Sequence, residues 1–220
     1  YCDISADMGS YLDQKDLGSC GPNTADEMCM YDQKVQGLSV TSISRLHLYW
    51  WTRYLMGTTN QDSGVDNRSL MKAWNQYGVC PEPLCPYITA NFKNKPSDAA
   101  NQAGLQNKIT DYAAVIQSPP QMQNAILTLR RPILFGFTVY KQIESDEAAT
   151  TGIIRSPGPG ETPVGGHDMS LCGFTNVDRP GNKPGLKWPA GTYKLRQHWT
   201  NYDGSPWGDC LFGETKISLL

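Results

Sequence analysis

LDQKDLGSCGPNTADEM, residues Leu12 to Met28, places Gln14, Gly18, Ser19 and Cys20 in a turn before a segment able to begin a helix. A thiol in the first turn of a helix meets N–H groups that lack intrahelical partners and the positive end of the helix dipole. Both favour the thiolate, which is the nucleophilic form. Gly18 and Ser19 suit a tight turn, and Pro22 is tolerated in a first turn because its missing N–H is not needed there. Gln14 lies six residues before Cys20, near enough to return across the turn and donate to an oxyanion beside the sulfur. The plainer alternative is a small buried cysteine at an ordinary helix start.

A thiol nucleophile needs a base, and the chain holds three histidines: His47, His167 and His198. His47 lies in SISRLHLYWWTRYL, where Ile43, Leu46, Trp50 and Leu55 follow helical spacing, so it reads as a packed or surface helix residue. His198 sits between Gln197 and Trp199. His167 follows Gly165 and Gly166 in PVGGHDMSLCGF, where two glycines open a strand and let a ligand approach the backbone closely. Alternation along that strand puts His167, Met169 and Leu171 on one face and Asp168 and Ser170 on the other.

Cys20 and His167 are 147 residues apart, a spacing similar to that of papain-type enzymes. More than spacing matches. Gln14-x5-Cys20 resembles the oxyanion glutamine and nucleophile of papain-like cysteine peptidases, VGGHDMSLCGF their histidine strand, and WTNYDGSPWGDCLF their aromatic, glycine-rich closing segment. SISRLHLYWWTR, DSGVDNRSLMKAWNQYGVCPEPLCPY and RRPILFGFTVYKQIESDEAATTG resemble the intervening segments of a bacterial and viral branch of that family. The resemblance runs from about Leu12 to about Phe212. It implies one α+β catalytic domain over residues 1–220, with a mainly helical lobe over about 1–108, a β-barrel-like lobe over about 109–220 and a substrate cleft between them.

The resemblance also implies roles. Cys20 would be the nucleophile, His167 the base, and Gln14 with the Cys20 backbone N–H the oxyanion donors. The orienting third member, usually an asparagine, matches Gln197, whose side chain is one methylene longer. Trp199 matches the tryptophan that shields the histidine–amide bond, Gly64 the glycine that pairs with extended substrate, and Gly166 belongs to the same substrate-binding set. Gly21 and Pro22 stand where plant and lysosomal members carry an aromatic residue. Leu17 replaces the usual half-cystine, and Asp168 replaces a small apolar neighbour of the histidine. The substrate class implied is polypeptide, with no cofactor. The rival function is a papain-fold structural or binding protein, for example a virion component, with weak or no turnover.

Composition bounds the alternatives. Hydrophobic residues make up 39% and charged residues 18%, which suits a folded globule. A net charge of −2, without a block of lysine and arginine, argues against nucleic acid or an anionic membrane as partner. No apolar run approaches the roughly 20 residues of a membrane helix. The chain begins at Tyr1, which fits a processed terminus and a trimmed chain equally; a secreted or virion-associated protein is favoured slightly over a cytoplasmic one. Seven cysteines allow a free Cys20 plus up to three disulfides, Cys80 with Cys85 among the pairs. Their spacings form no paired CxxC, so no structural zinc site is expected.

Taken in order, Tyr1–Tyr11 reads as an irregular lead-in. Helices are expected over about Cys20–Lys34, Thr41–Met56 and Asp66–Tyr77, with one short helix after Lys95–Asp98. Asp111–Ile116 has strand composition. A helix after Ser118 carries Met122, Ile126 and Leu129 on one face. Ile133–Tyr140, the His167 segment, Tyr193–Trp199 and about Cys210–Ile217 read as strands, with Asp178–Gly191 as a long loop.

Overall fold

The computed structural model describes residues 1–181, 185–200, 205–206 and 208–213. They form two compact units, one of Leu12–Ala114 and one of Val115–Leu220 together with Tyr1–Tyr11. Helices make the first unit and a sheet dominates the second, so the class is α+β.

In the helical unit, α1 (Cys20–Val35), α2 (Arg45–Met56) and α3 (Asn67–Tyr77) pack on one another, and α4 (Asp98–Gly104) follows. α2 starts four residues later than the apolar spacing predicts because Ser44 caps it: its Oγ accepts the His47 N–H at 3.1 Å. Asp66 caps α3 in the same way, accepting from Ser69 N–H at 2.8 Å. Gly78, at φ 67°, ends α3 where a Cβ would fall 1.8 Å from the Gly104 carbonyl oxygen, so only glycine fits. His47 is buried on α2 near Gly104, a packed histidine whose pKa burial lowers to about 4.

Arg53, completely buried on α2, organises the loop that follows. Its Nη1 donates to the carbonyls of Thr59 at 2.8 Å and Gln61 at 3.0 Å, and its Nη2 donates to Phe92 O. The guanidinium also lies 4.0 Å over the Tyr49 ring. A planar cation with several donors can gather three carbonyls at once, which an ammonium cannot do in that geometry.

The second unit is organised by the thirteen-residue β4 (Pro163–Thr175). Along one edge it pairs with β2 (Ile133–Tyr140) and then, near its end, with β1 (Cys2–Asp3). Along the other it pairs with β7 (Thr192–Arg196), which pairs in turn with β8 (Asp209–Gly213). β3 (Ile153–Ile154) adds to β8 in parallel. β2 alternates as its sequence predicts, burying Phe135, Phe137 and Val139. α5 (Pro119–Leu129) packs on β1 and β4 through Met122 and Ile126, and α6 (Asp146–Thr151) precedes β3.

Several expectations need correction. The irregular lead-in contributes β1, held to β7 by Lys194, which donates to Asp3 Oδ2 at 2.6 Å, and by Arg196, which donates to Gly9 O. Asp111–Ile116 forms no strand; Ile116 is 69% exposed and lacks a neighbouring edge. Leu129 lies off the buried face of α5 at 61% exposure. The 178–191 loop holds a small two-stranded sheet, β5 (Arg179–Pro180) with β6 (Lys187–Trp188). Strand β8 is described over Asp209–Gly213, and residues 214–217 of the expected strand lie outside the described residues. The described strands form an open sheet and not a closed barrel; its end strands β1 and β3 have two residues each, too few to carry a ladder round to the other edge. All seven cysteines are free thiols, Cys80 and Cys85 included.

Replacing Arg53 should reveal how much the loop depends on it. Arg53→Met leaves three carbonyls without their charged donor, and should lower the unfolding free energy by roughly 3 kcal/mol, measured by urea denaturation.

Candidate active site

Cys20, the candidate nucleophile, belongs to the helical unit. Cys20 is the first residue of α1 and is half-buried. Leu17, in the position of the half-cystine, is instead buried in an apolar cluster with Leu46, Tyr49 and Tyr87. The next residue is tethered by hydrogen bonds: Gly18 N–H donates to both carboxylate oxygens of Asp62, at 3.0 and 3.1 Å. Tyr49 OH donates to the same carboxylate, and Arg53 holds the carbonyl of neighbouring Gln61. A Cβ on Gly18 would lie 2.9 Å from Asp62 Oδ1 and 3.3 Å from Gly64 N, so a side chain here would push the Asp62 carboxylate from its place. Gly64, at φ 67°, therefore lies beside the cysteine's turn.

Gln14 is buried against the same turn. Its Nε2 donates to Leu17 O at 3.2 Å, which fixes the amide's orientation, and that nitrogen carries a second N–H. Its backbone carbonyl accepts from Tyr87 OH at 2.8 Å. Ser19 occupies the N-cap position of α1 but makes no side-chain cap; its hydroxyl bonds to the Tyr87 oxygen. Asn23 Nδ2 donates to Ser19 O at 2.9 Å and Ser19 Oγ at 3.1 Å, and Arg45 Nη1 donates to Asn23 Oδ1 at 2.8 Å.

The histidine half belongs to the sheet unit. His167 lies on β4 opposite Phe137 of β2 and is 4% exposed. Its Nε2 is 2.8 Å from Oε1 of Gln197, just past the end of β7. The last β4–β7 pair is Ser170 with Arg196; continuing that register brings Trp199 level with His167, and their ring centroids are 4.5 Å apart. His198 is buried nearby, its ring 5.1 Å from that of His167. Asp168 is buried on the face of β4 opposite His167. Gly166 precedes His167, exposed and paired with Thr138.

One hydrogen bond assigns the imidazole tautomer. The His198 backbone N–H donates to Gln197 Oε1 at 2.9 Å, so that atom is the amide oxygen. His167 Nε2 must then carry the proton shared with it, which leaves Nδ1 with the lone pair. Burial lowers the His167 pKa to about 3; His198 adds to the lowering, and the bond to Gln197 opposes it. In the absence of an anion, this histidine is a neutral base with Nδ1 as its basic atom.

Sequence patterns had pointed to Gln14, Cys20, Gly64, Gly166, His167, Gln197 and Trp199. Within one unit the fold gathers Gln14 and Gly64 around the turn of Cys20; within the other it gathers Gln197 and Trp199 around His167. Residues 201–204 and 207, in the aromatic closing segment, lie outside the described residues. Asp62, Tyr87 and Arg45 were missed, because nothing local in the sequence links them to a turn up to 73 residues away.

No protein-family model matches the chain. Over 207 residues, 90% of its length, it is 31% identical to an uncharacterised peptidase C1-like protein of Acanthamoeba polyphaga mimivirus, and it spans 61% of that protein. Xylellain, a cysteine protease from Xylella fastidiosa, is 25% identical with a TM-score of 0.74, over 96% of this chain and 78% of that one. The bromelain protease from Ananas comosus is similar in fold, with a TM-score of 0.63 at 15% identity, over 96% of this chain and 86% of that one.

If the Asp62 carboxylate holds the turn, Asp62→Ala should speed hydrogen exchange of the Gly18 amide at least tenfold while α1's central amides keep their protection, since the loss is local. Amide exchange followed by NMR measures both.

Proposed function

The chain belongs to the papain-like cysteine peptidase family, and on that premise we propose that it hydrolyses peptide bonds in polypeptides through Cys20 and His167. Residues 1–220 then act as one catalytic domain, in which the histidine of one unit serves the cysteine of the other. The observation that carries this proposal is the buried bond between His167 Nε2 and Gln197 Oε1, because it leaves Nδ1 as the base. Xylellain and the bromelain protease, named as proteases, support polypeptide as the substrate class.

The chemistry follows from these atoms. The Cys20 thiolate attacks the scissile carbonyl carbon, forming a C–S bond and an oxyanion. The Cys20 N–H and the second N–H of Gln14 Nε2 receive that oxyanion. His167, protonated at Nδ1, gives its proton to the leaving amine as the C–N bond breaks, and a thioester remains. Water then attacks the thioester, losing a proton to Nδ1, and the carboxylic acid departs as the thiolate is restored. Gln197 keeps Nε2 engaged throughout, and Trp199 covers that bond. Gly64 and Gly166 offer backbone to an extended substrate, without a side chain in the way.

Burial alone would keep His167 neutral at any physiological pH, so the charged imidazole depends on the thiolate. That coupling is measurable. In Cys20→Ala, the His167 ring should stay neutral down to pH 5, following the lowered pKa; in the native protein it should be charged at pH 6, with both states read by NMR of the imidazole carbons. Alanine and native proteins titrating alike would overturn the pairing. Hydrolysis of casein should disappear in Cys20→Ala. An epoxide or iodoacetamide at pH 7 should label Cys20 selectively, because burial raises the thiols of Cys85 and Cys172 and pushes those of Cys29 and Cys80 up to about 12. A folded native protein that binds polypeptide without cleaving it would favour the structural or binding role.

Gln197→Ala should lower kcat on the order of tenfold with KM little changed, because the imidazole loses its orientation and tautomer preference but keeps its basic nitrogen. Steady-state kinetics on a fluorogenic peptide separate the two parameters.

A further inference from the structure

The hydrogen bonds around Ser19 run in one direction. Arg45 Nη1 donates to Asn23 Oδ1 and so fixes the Asn23 amide, whose Nδ2 donates to Ser19 Oγ. The Tyr87 proton goes to the Gln14 carbonyl, which can only accept. The Ser19 hydroxyl proton then goes to the nearer of its two acceptors, the Tyr87 oxygen, with Leu17 O farther off at 3.5 Å. Arg45 is braced over the Tyr87 ring at 3.7 Å and also donates to Asp13 O at 3.1 Å. The Tyr87 backbone N–H is held by Glu82 Oε1 at 2.6 Å, which fixes the tyrosine's loop.

This chain of bonds diverts a residue from its ordinary task. Serine at an N-cap position usually accepts a bond from the N–H of the second or third helical residue. Here the third is Pro22, which has no N–H, and the second is Gly21. The Ser19 hydroxyl makes neither bond, and its orientation is set by Tyr87 from outside the helix and by the Asn23 side chain from its first turn.

We propose that Tyr87 is a positioning residue for the peptidase reaction: its hydroxyl holds Ser19 away from the start of α1, reserving the helix's first N–H groups for the anions of the reaction, and holds the Gln14 backbone so that its side chain faces them. The proposal rests on the peptidase function argued above. Tyr87 acts through Ser19 and Gln14, which precede Cys20 in sequence and bond to this tyrosine's hydroxyl.

Tyr87→Phe tests this, since it removes one oxygen and keeps the ring under Arg45. Released from its acceptor, the Ser19 hydroxyl turns to accept from Gly21 N–H and competes with the Cys20 thiolate for the helix start. The rate of Cys20 alkylation by iodoacetamide should then rise with pH about one unit later than in the native protein, roughly a tenfold slower reaction on the acid side. Peptide kcat should fall about as much, with KM within twofold. Adding Ser19→Ala to Tyr87→Phe removes the competitor and should restore the alkylation profile. A purely structural tyrosine would leave the profile in place, or shift it without rescue, and either result overturns the proposal. Ser19→Ala alone supplies a second check that does not depend on the tyrosine variant folding. Its profile should match the native one, and a shift to higher pH would mean that the hydroxyl itself supports the thiolate, which the proposal denies. Native protein without selective Cys20 labelling would fail the peptidase function itself, whereas native labelling with an unmoved Tyr87→Phe profile fails only the role of Tyr87.

Discussion

The turn that ends in Cys20 has no covalent brace, and its shape depends on hydrogen bonds from side chains far away in sequence. Asp62 takes the Gly18 N–H, Tyr87 takes the Gln14 carbonyl and the Ser19 hydroxyl, and Arg45 orients Asn23 beneath them. Each of these partners is held in turn. Arg53 fixes the loop that carries Asp62 by binding the carbonyls of residues 59 and 61, and the Tyr87 loop is fixed at Glu82. Where the family resemblance leads one to expect a disulfide beside the nucleophile, this chain has a buried leucine and a carboxylate–amide bond. A hydrogen bond to a charged acceptor contributes a few kcal/mol at most, so the turn's rigidity must come from several such bonds acting together.

The sheet unit meets a different problem, that of keeping an imidazole basic and correctly aimed while burying it. Burial and the neighbouring His198 both oppose protonation of His167. Gln197 contributes orientation: because its oxygen is already pinned by a backbone N–H, the imidazole has one way to bond to it. The longer glutamine side chain is accommodated because Gln197 lies past the last β7 pair, diagonal to His167 and not directly opposite. Trp199 is level with the histidine, their ring centroids 4.5 Å apart. An asparagine in that place would have to come closer in the register to reach the same nitrogen.

Protonation also links the site to stability, in opposing senses. His47 is neutral when folded and takes up a proton on unfolding, so it weakens the fold as pH drops below about 6.5, the ordinary histidine value. Asp26, buried on α1 with its Oδ1 on the Ile43 N–H, has its pKa raised to about 7, chiefly by burial. It binds a proton in the folded state that the unfolded chain releases above about 4, so it weakens the fold as pH rises toward 7. The two contributions compete within one pH window and flatten the dependence of stability on acidity there.

Much of this was legible in the sequence, because the signals involved are local. Periodic apolar residues gave α3 to within one residue, branched and aromatic residues gave β2 in full, and Gly-Ser-Cys before a helix start marked the turn of Cys20. Paired glycines before His167, and an amide next to an aromatic near His198, marked the other half. The errors were also local. Asp111–Ile116 has strand composition but no strand edge beside it, and Cys2–Asp3 has none of that composition yet pairs with β4. Strand formation depends on a partner, and a partner is a property of the fold. The same reason explains Asp62, Tyr87 and Arg45. Their residue types are ordinary, and their work is done through hydrogen bonds that span 22 to 73 residues of sequence, so only the tertiary structure, by bringing those atoms within about 3 Å, decides which proton goes where.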